Sequence, residues 1–236
     1  MNRETQNLLL LLIGGAVLWT ALDGSYLRYV KPGLFPFLLI SGAGFLLLGI
    51  IAIVRDIRRA RPSDDHEHGT GRAQWLLLAP AAALLLIGPP ALGAAAVTTS
   101  APMPVAADQP QQHPFPPLPE DPAPTLTMYD LVERAVLDSA HSLDGREVRV
   151  SGFVIAPGDS TLELARVLIT CCVADARYLY IHLDGIHDRI ADNTWLEVRG
   201  TVDPGSATRD PSRIPTFKVT DYHQIPAPAG TYELPH

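Results

Sequence analysis

Uncharged apolar residues run in three long blocks over the first 97 positions, Leu8–Leu22 (15 residues), Leu34–Val54 (21 residues) and Trp75–Val97 (23 residues). At 1.5 Å per residue the last two reach across a hydrocarbon core of roughly 30 Å. The first is short and needs Thr5–Asn7 and Gly24–Tyr26 to extend it. The pattern predicts three transmembrane helices, over about residues 5–26, 34–54 and 75–97. Pro80 and the pair Pro89–Pro90 predict a bend and an early end in the third, because proline frees backbone carbonyls.

After Val97 the apolar blocks stop. Residues 98–124 hold 9 prolines in 27 positions with no aliphatic periodicity. This predicts an extended polyproline-type linker, up to about 80 Å long at roughly 3.1 Å per residue. From Thr125 the pattern changes again. Thr127 followed by Asp130 reads as a helix start, and Leu131, Val132, Ala135 and Val136 keep helical spacing to about Ala140. Leu143-Asp144-Gly145 turns the chain. Five short strands follow, at Arg146–Ile155, Thr161–Thr170, Arg177–Leu183, Thr194–Val202 and Thr216–Ile225. Each is bounded by a turn signal such as Pro157-Gly158, Asp184-Gly185 or Asp203-Pro204-Gly205. With a short helix expected near Ile186–Ala191, residues 125–236 predict a small, mainly-β, OB-like barrel. A sandwich fragment is the other architecture this strand count allows.

Charge then separates the halves. Residues 1–97 carry 8 Lys/Arg against 6 Asp/Glu, and residues 98–236 carry 10 against 19. The overall 47% hydrophobic composition therefore averages an anchor and an acidic soluble head. The densest positive cluster, Arg55, Arg58, Arg59, Arg61 and Arg72, lies in the short segment 55–74. Basic short loops stay cytoplasmic, against the weaker opposing pull of Arg28 and Lys31. The expected topology is an N-terminus inside, residues 23–33 outside and everything after Val97 extracytoplasmic, in a multi-pass protein of the cell membrane. Glu4 weakens any signal-peptide start and no A-x-A site follows, so retained helices are expected. Gly93–Val97 resembles a cleavage site but lies too far from the N-terminus.

These numbers exclude several classes. A net charge of −9 over residues 98–236 argues against nucleic acid as a partner, since such surfaces need clustered Lys/Arg. Two cysteines cannot make a disulfide-dense scaffold, and three spans do not make a large polytopic transporter. No G-x-S-x-G, H-E-x-x-H or phosphate loop is present, so no enzyme is expected.

The two cysteines are adjacent, Cys171 and Cys172, shortly before Asp175. Neighbouring cysteines rarely bridge each other, because the small ring strains the intervening peptide. In an oxidising compartment they have no third cysteine to pair with. Three uses fit. They bind a divalent metal such as zinc together with Asp175 and a histidine, His182 or His187. They form a labile disulfide acting as a redox switch. Or they are small buried apolar residues at a strand end, with Asp175 capping a turn. His66 and His68, beside Asp64, Asp65 and Glu67, read first as a solvated loop that collects metal only weakly.

The order of features resembles a known family. Gly145-Arg-Glu-Val-Arg-Val-Ser-Gly-Phe-Val154, Ala165-Arg166-Val-Leu-Ile-Thr-Cys-Cys172, Ala174-Asp-Ala176, Trp195-Leu-Glu-Val-Arg-Gly200 and Ile225-Pro226 follow two helices, a His/Asp loop and a third helix. This is similar to the uncharacterised bacterial YcgQ-like membrane family, described as subunits of two-component permease complexes. The resemblance implies a polytopic permease-like partner in the lipid bilayer and supports Cys171, Cys172 and Asp175 as functional. The family's loop is often richer in histidine than the two found here. The expectation is an accessory subunit with a tethered domain for metal or partner binding; the alternative is a stand-alone thiol-redox or metal-sensing protein.

Overall fold

The structure, a computed structural model, describes residues 3–59, 91–94, 115–156, 162–228 and 230–235. The chain divides into two units, residues 1–91 and 92–236.

In the first unit, helix α1 covers Arg3–Leu22 and helix α2 covers Phe35–Arg59. α1 stops four residues before the expected Tyr26. Asp23 accepts a hydrogen bond from Ser25 N (2.8 Å), and Gly24, at φ 81°, turns the chain into a 3-10 helix over Ser25–Arg28. α2 continues five residues past the expected Val54. The two helices pack closely because a Cβ on Gly14 would stand 2.9 Å from Gly42 O, and Leu18 fills the space over Gly42. Phe37, Ile40, Leu47 and Ile57 on α2 are exposed.

Among the described residues one helix, Pro32–Arg58, is long and apolar enough to cross a membrane, with mean hydropathy 2.7 over its best window. The apolar part of α1, Gln6–Leu22, is shorter. Of the expected third span, residues 75–90 and 95–97 lie outside the described residues, as do 60–74 of the expected cytoplasmic loop. Residues 91–93 carry no helix.

The second unit is a mixed six-stranded sheet with one substantial helix. Helix α3 (Met128–Leu137) precedes β1 (Val148–Ile155), β2 (Glu163–Leu168), β3 (Arg177–Asp184) and β4 (Trp195–Val202). A four-residue helix α4 (Ser206–Arg209), β5 (Thr216–Gln224) and β6 (Tyr232–Glu233) follow. The strand order is β1-β4-β5-β3-β2-β6, with a further β1–β2 pairing. The first part of β1 pairs with β4 over Val148–Phe153, and its end pairs with β2 over Phe153–Ile155. Following the pairings from β1 through β4, β5, β3 and β2 thus returns to β1. The β3–β5 and β2–β6 pairings are parallel and the others antiparallel. A register shift at Arg199/Gly200 lets β4 bend, and a Cβ on Gly200 would lie 2.0 Å from Lys218 O.

Two-residue alternation decides which side chains meet. Val148, Val150, Val154, Leu164, Leu179, Ile181, Leu196, Val198 and Phe217 share one core with Met128, Leu131 and Val132 of α3. The intervening residues Phe153, Ile155, Ala165, Val167, Tyr178 and Tyr180 form a second buried cluster on the opposite face. Leu92 and Ala94 pack into that second cluster. Leu92 N donates to the Tyr232 hydroxyl (3.0 Å) and Ala94 N to Asn193 Oδ1 (2.7 Å).

The described end of the proline-rich segment is also part of this unit. Arg134 stacks over Phe115 at 4.9 Å and donates to Pro116 O (2.9 Å), and Arg149 N donates to Pro124 O (2.9 Å). Residues 98–114 of the expected linker lie outside the described residues.

The five expected strands all occur, each within about two residues of its expected ends. Two features differ. The helix expected over Ile186–Ala191 is absent; Ile186 and Ile190 pack on the core from an irregular segment, and the Tyr222 hydroxyl holds Asp188. β6 was not expected, since two residues carry no alternation to read.

Candidate metal centre

β2 and β3 form an antiparallel hairpin whose last register pair is Leu168↔Arg177. The eight residues between them carry the cysteines. Ile169 is buried, with 1% of its surface exposed, and its N–H donates to Glu233 O (3.0 Å) on β6. That fixes the loop where it leaves the sheet. Val173–Asp175 then form one turn of 3-10 helix with Cys172 as its N-cap.

Asp175 organises the turn. Its Oδ1 accepts from Thr170 N (2.8 Å) and its Oδ2 from Cys171 N (2.8 Å) and Cys172 N (3.4 Å). In return the Cys172 side chain accepts from Asp175 N, a reciprocal capping arrangement that satisfies donors a short helix leaves open. The two sulfurs stand 3.7 Å apart, as free thiols. The Cys171 thiol also hydrogen-bonds to the Asp175 carboxylate.

The electrostatics follow from this proximity. Bonding to Asp175, with Cys172 beside it, pushes the Cys171 thiol up to about 11. The thiol and the backbone N–H of Thr170 hold the Asp175 carboxyl down, at about 2. At neutral pH the site is therefore a carboxylate beside a protonated thiol. A protonated thiol is a slow nucleophile, while a cation that displaces the protons meets two sulfurs and a carboxylate together.

The structure brings all three expected ligand residues together: one donor atom from each of Cys171, Cys172 and Asp175 lies within 4.8 Å of the others. Cys171 is exposed and Cys172 half-exposed, so the pair does not serve as buried apolar filling. Neither histidine joins them. Glu163↔His182 is five register positions from Leu168↔Arg177, about 16 Å along the strands. His187 is exposed and outside the cluster. His66 and His68 lie outside the described residues.

His182 has another environment. Its Nδ1 is 3.3 Å from Glu163 Oε1, off the line of an ideal hydrogen bond, and its Nε2 is 3.5 Å from Asp210 Oδ2. Glu163 chiefly, with Asp210 adding, raises the imidazole above its usual value despite partial burial. The folded state thus favours the protonated ring. Its stabilisation is complete below the ordinary imidazole value and is lost as pH rises through the raised one. The melting-temperature gap between wild type and His182→Asn is expected to narrow from about pH 5.5 to about pH 8.5. A gap that widens over this range would contradict the ion-pair account.

Sequence reasoning missed a second buried charge. Arg166 on β2, only 8% exposed, donates through Nε to Glu233 Oε1 (3.2 Å) and lies over the Trp195 ring at 4.9 Å. Glu233 also accepts from Met128 N (2.9 Å) and Tyr129 N (2.8 Å), so one carboxylate caps α3 and neutralises Arg166. An arginine in the otherwise apolar run Leu164–Ile169 was the one available signal.

A groove of about 330 Å³ lies between the Asp121–Ala123 segment and strands β1, β4 and β5. Several of its charges close on neighbours: Arg149 with Asp121 (3.8 Å), His223 with Glu197 (3.8 Å), and Arg199 with Glu147 (Nε–Oε2 3.0 Å). The cysteine turn is the stronger candidate, because its donor atoms converge on one point.

No curated protein and no solved structure matches the chain. Residues 127–234, which include the strands, the cysteine turn and the Glu233 cap, match the model of the DUF1980 C-terminal domain, an uncharacterised family.

Proposed function

We propose that the protein is an accessory subunit of a membrane permease complex, whose tethered extracytoplasmic domain holds a divalent metal at Cys171, Cys172 and Asp175. The observation that carries this reading is the convergence of two sulfurs and a carboxylate within 4.8 Å on one short turn. Three anchoring helices with a cytoplasmic N-terminus fit the apolar blocks and the arginines of segment 55–74. An OB-like barrel fits the pairings that return from β2 to β1, the parallel β3–β5 contact and α3 packed on the core. No catalytic step is part of the proposal.

A stand-alone thiol-redox protein would need a reactive thiolate, and the Asp175 carboxylate works against one at Cys171. Metal binding is favoured by the same carboxylate.

Affinity purification of the full chain from native membranes tests the assignment. A polytopic membrane protein is expected in stoichiometric amount, together with one divalent metal per chain. Purification of the chain alone from gently solubilised membranes would sink the subunit reading. A metal-free complex would sink the metal reading.

A further inference from the structure

We propose that the cysteine turn is an open, three-ligand tetrahedral centre for a zinc-class cation, completed by an imidazole from another molecule, so that the ion is held in transit rather than as a permanent structural part. This rests on the metal-binding reading above and adds coordination geometry, charge preference and exchange.

The first argument is the spacing of the sulfurs. Two thiolates on one tetrahedral ion with metal–sulfur bonds of about 2.3 Å stand about 3.8 Å apart. Linear two-coordinate binding with similar bond lengths would need about 4.6 Å. Cys171 Sγ and Cys172 Sγ are 3.7 Å apart, so the sulfur pair already has the tetrahedral spacing. Oxygen-seeking ions such as calcium and magnesium gain little from two sulfurs.

The second argument is ligand number. Among the described residues the cluster consists of three donors, whereas closed structural zinc sites use four. Cys171 is exposed, which leaves the remaining coordination position on the solvent side of the turn.

The third argument is that the turn is already built. Three backbone N–H groups hold Asp175, and register pair Leu168↔Arg177 and the Ile169–Glu233 bond close the hairpin below it. A structural zinc site normally supplies folding energy that its apo form lacks. These bonds are the protein's own backbone and side-chain contacts, so it is not the ion that closes the loop.

Charge selects the fourth ligand. Two thiolates and a carboxylate around a divalent ion leave one net negative charge, which disfavours a further anion and favours a neutral donor, and an imidazole nitrogen is a stronger zinc ligand than the water it would replace. Binding balances as one divalent ion entering and two thiol protons leaving; transfer to a histidine-bearing acceptor reverses it.

Cobalt(II) titration of the full-length protein in detergent, kept reduced by a phosphine, tests this. A thiolate-to-cobalt band at one equivalent is expected, absent in the Cys171→Ser/Cys172→Ser variant. Added imidazole should shift the visible d–d bands saturably, whereas azide should shift them little. Removing the metal with a chelator should leave the circular-dichroism spectrum of the folded protein unchanged. A cobalt spectrum indifferent to imidazole, or loss of ordered structure on chelation, would mean a closed structural centre and overturn the open-site proposal. A band that persists in the double variant would place the cobalt elsewhere and also overturn it. Absence of any band in wild type would instead remove the metal-binding reading beneath it.

Discussion

Glu233→Ala is expected to destabilise the soluble unit by about 3–5 kcal/mol, a large fraction of what a domain of this size possesses. The residue sits near the C-terminal end of the chain, where side chains are usually expendable. Here it is 7% exposed and its two oxygens accept three hydrogen bonds, from Met128 N, Tyr129 N and Arg166 Nε. Truncation strands two N–H groups at the start of α3 and leaves a buried guanidinium without its counter-ion. Burial already lowers the proton affinity of Arg166, which Glu233 opposes, and Nη1 has no acceptor to spare. The Trp195 face offers attraction but cannot replace a carboxylate. Denaturant unfolding followed by near-ultraviolet circular dichroism measures the loss. Removing both charges, as Arg166→Met with Glu233→Gln, should cost less than Glu233→Ala alone, because no unpaired ion remains. A single variant within about 1 kcal/mol of wild type would show that the pair contributes little.

Asp175→Asn is expected to move two readouts in opposite directions. Metal affinity should fall roughly a hundredfold, as an anionic ligand becomes a neutral amide. Alkylation of Cys171 by iodoacetamide at about pH 8 should become about tenfold faster or more, because the carboxylate that suppresses its ionisation is gone. The sign is informative. If Asp175 only shaped the turn, its loss would loosen the loop without favouring the thiolate specifically, and Cys172 would gain as much as Cys171. Mass-spectrometric rates at each cysteine, alongside cobalt affinity, separate the cases. Slower alkylation of Cys171 in Asp175→Asn would refute the electrostatic account.

The strands were legible because their signal is local. Val148, Val150 and Val154 alternate with polar or outward residues, and turn residues punctuate each end. Ile186 and Ile190 misled for the same reason: their four-residue spacing imitates a helix face, yet two anchors on a core need no helix between them. β6 and the Arg166–Glu233 pair were illegible because the partners are 67 residues apart and no local pattern joins them. At the candidate metal centre, five consecutive residues contain all three candidate ligands, so their nearness along the chain is visible in the sequence. Their exposure, the 3.7 Å sulfur spacing and the grip of Asp175 on three amides depend on how the hairpin closes. Of the three expected spans, one helix meets the length and hydropathy a bilayer requires, and most of the third lies outside the described residues.

The packing of Leu92, Ala94 and residues 115–126 bears on where one may cut. The family match begins at residue 127, but that boundary is not a folding border. A fragment starting there would lose the parallel bridge between Thr125 and Arg149, the Phe115 ring over Arg134, and the two residues that plug the outer cluster beside Tyr232. Such a fragment would expose Phe153, Tyr178 and Tyr180 and invite self-association through them. The smallest autonomous piece should begin upstream of Leu92, so recombinant work on the head alone must carry the whole proline-rich segment with it.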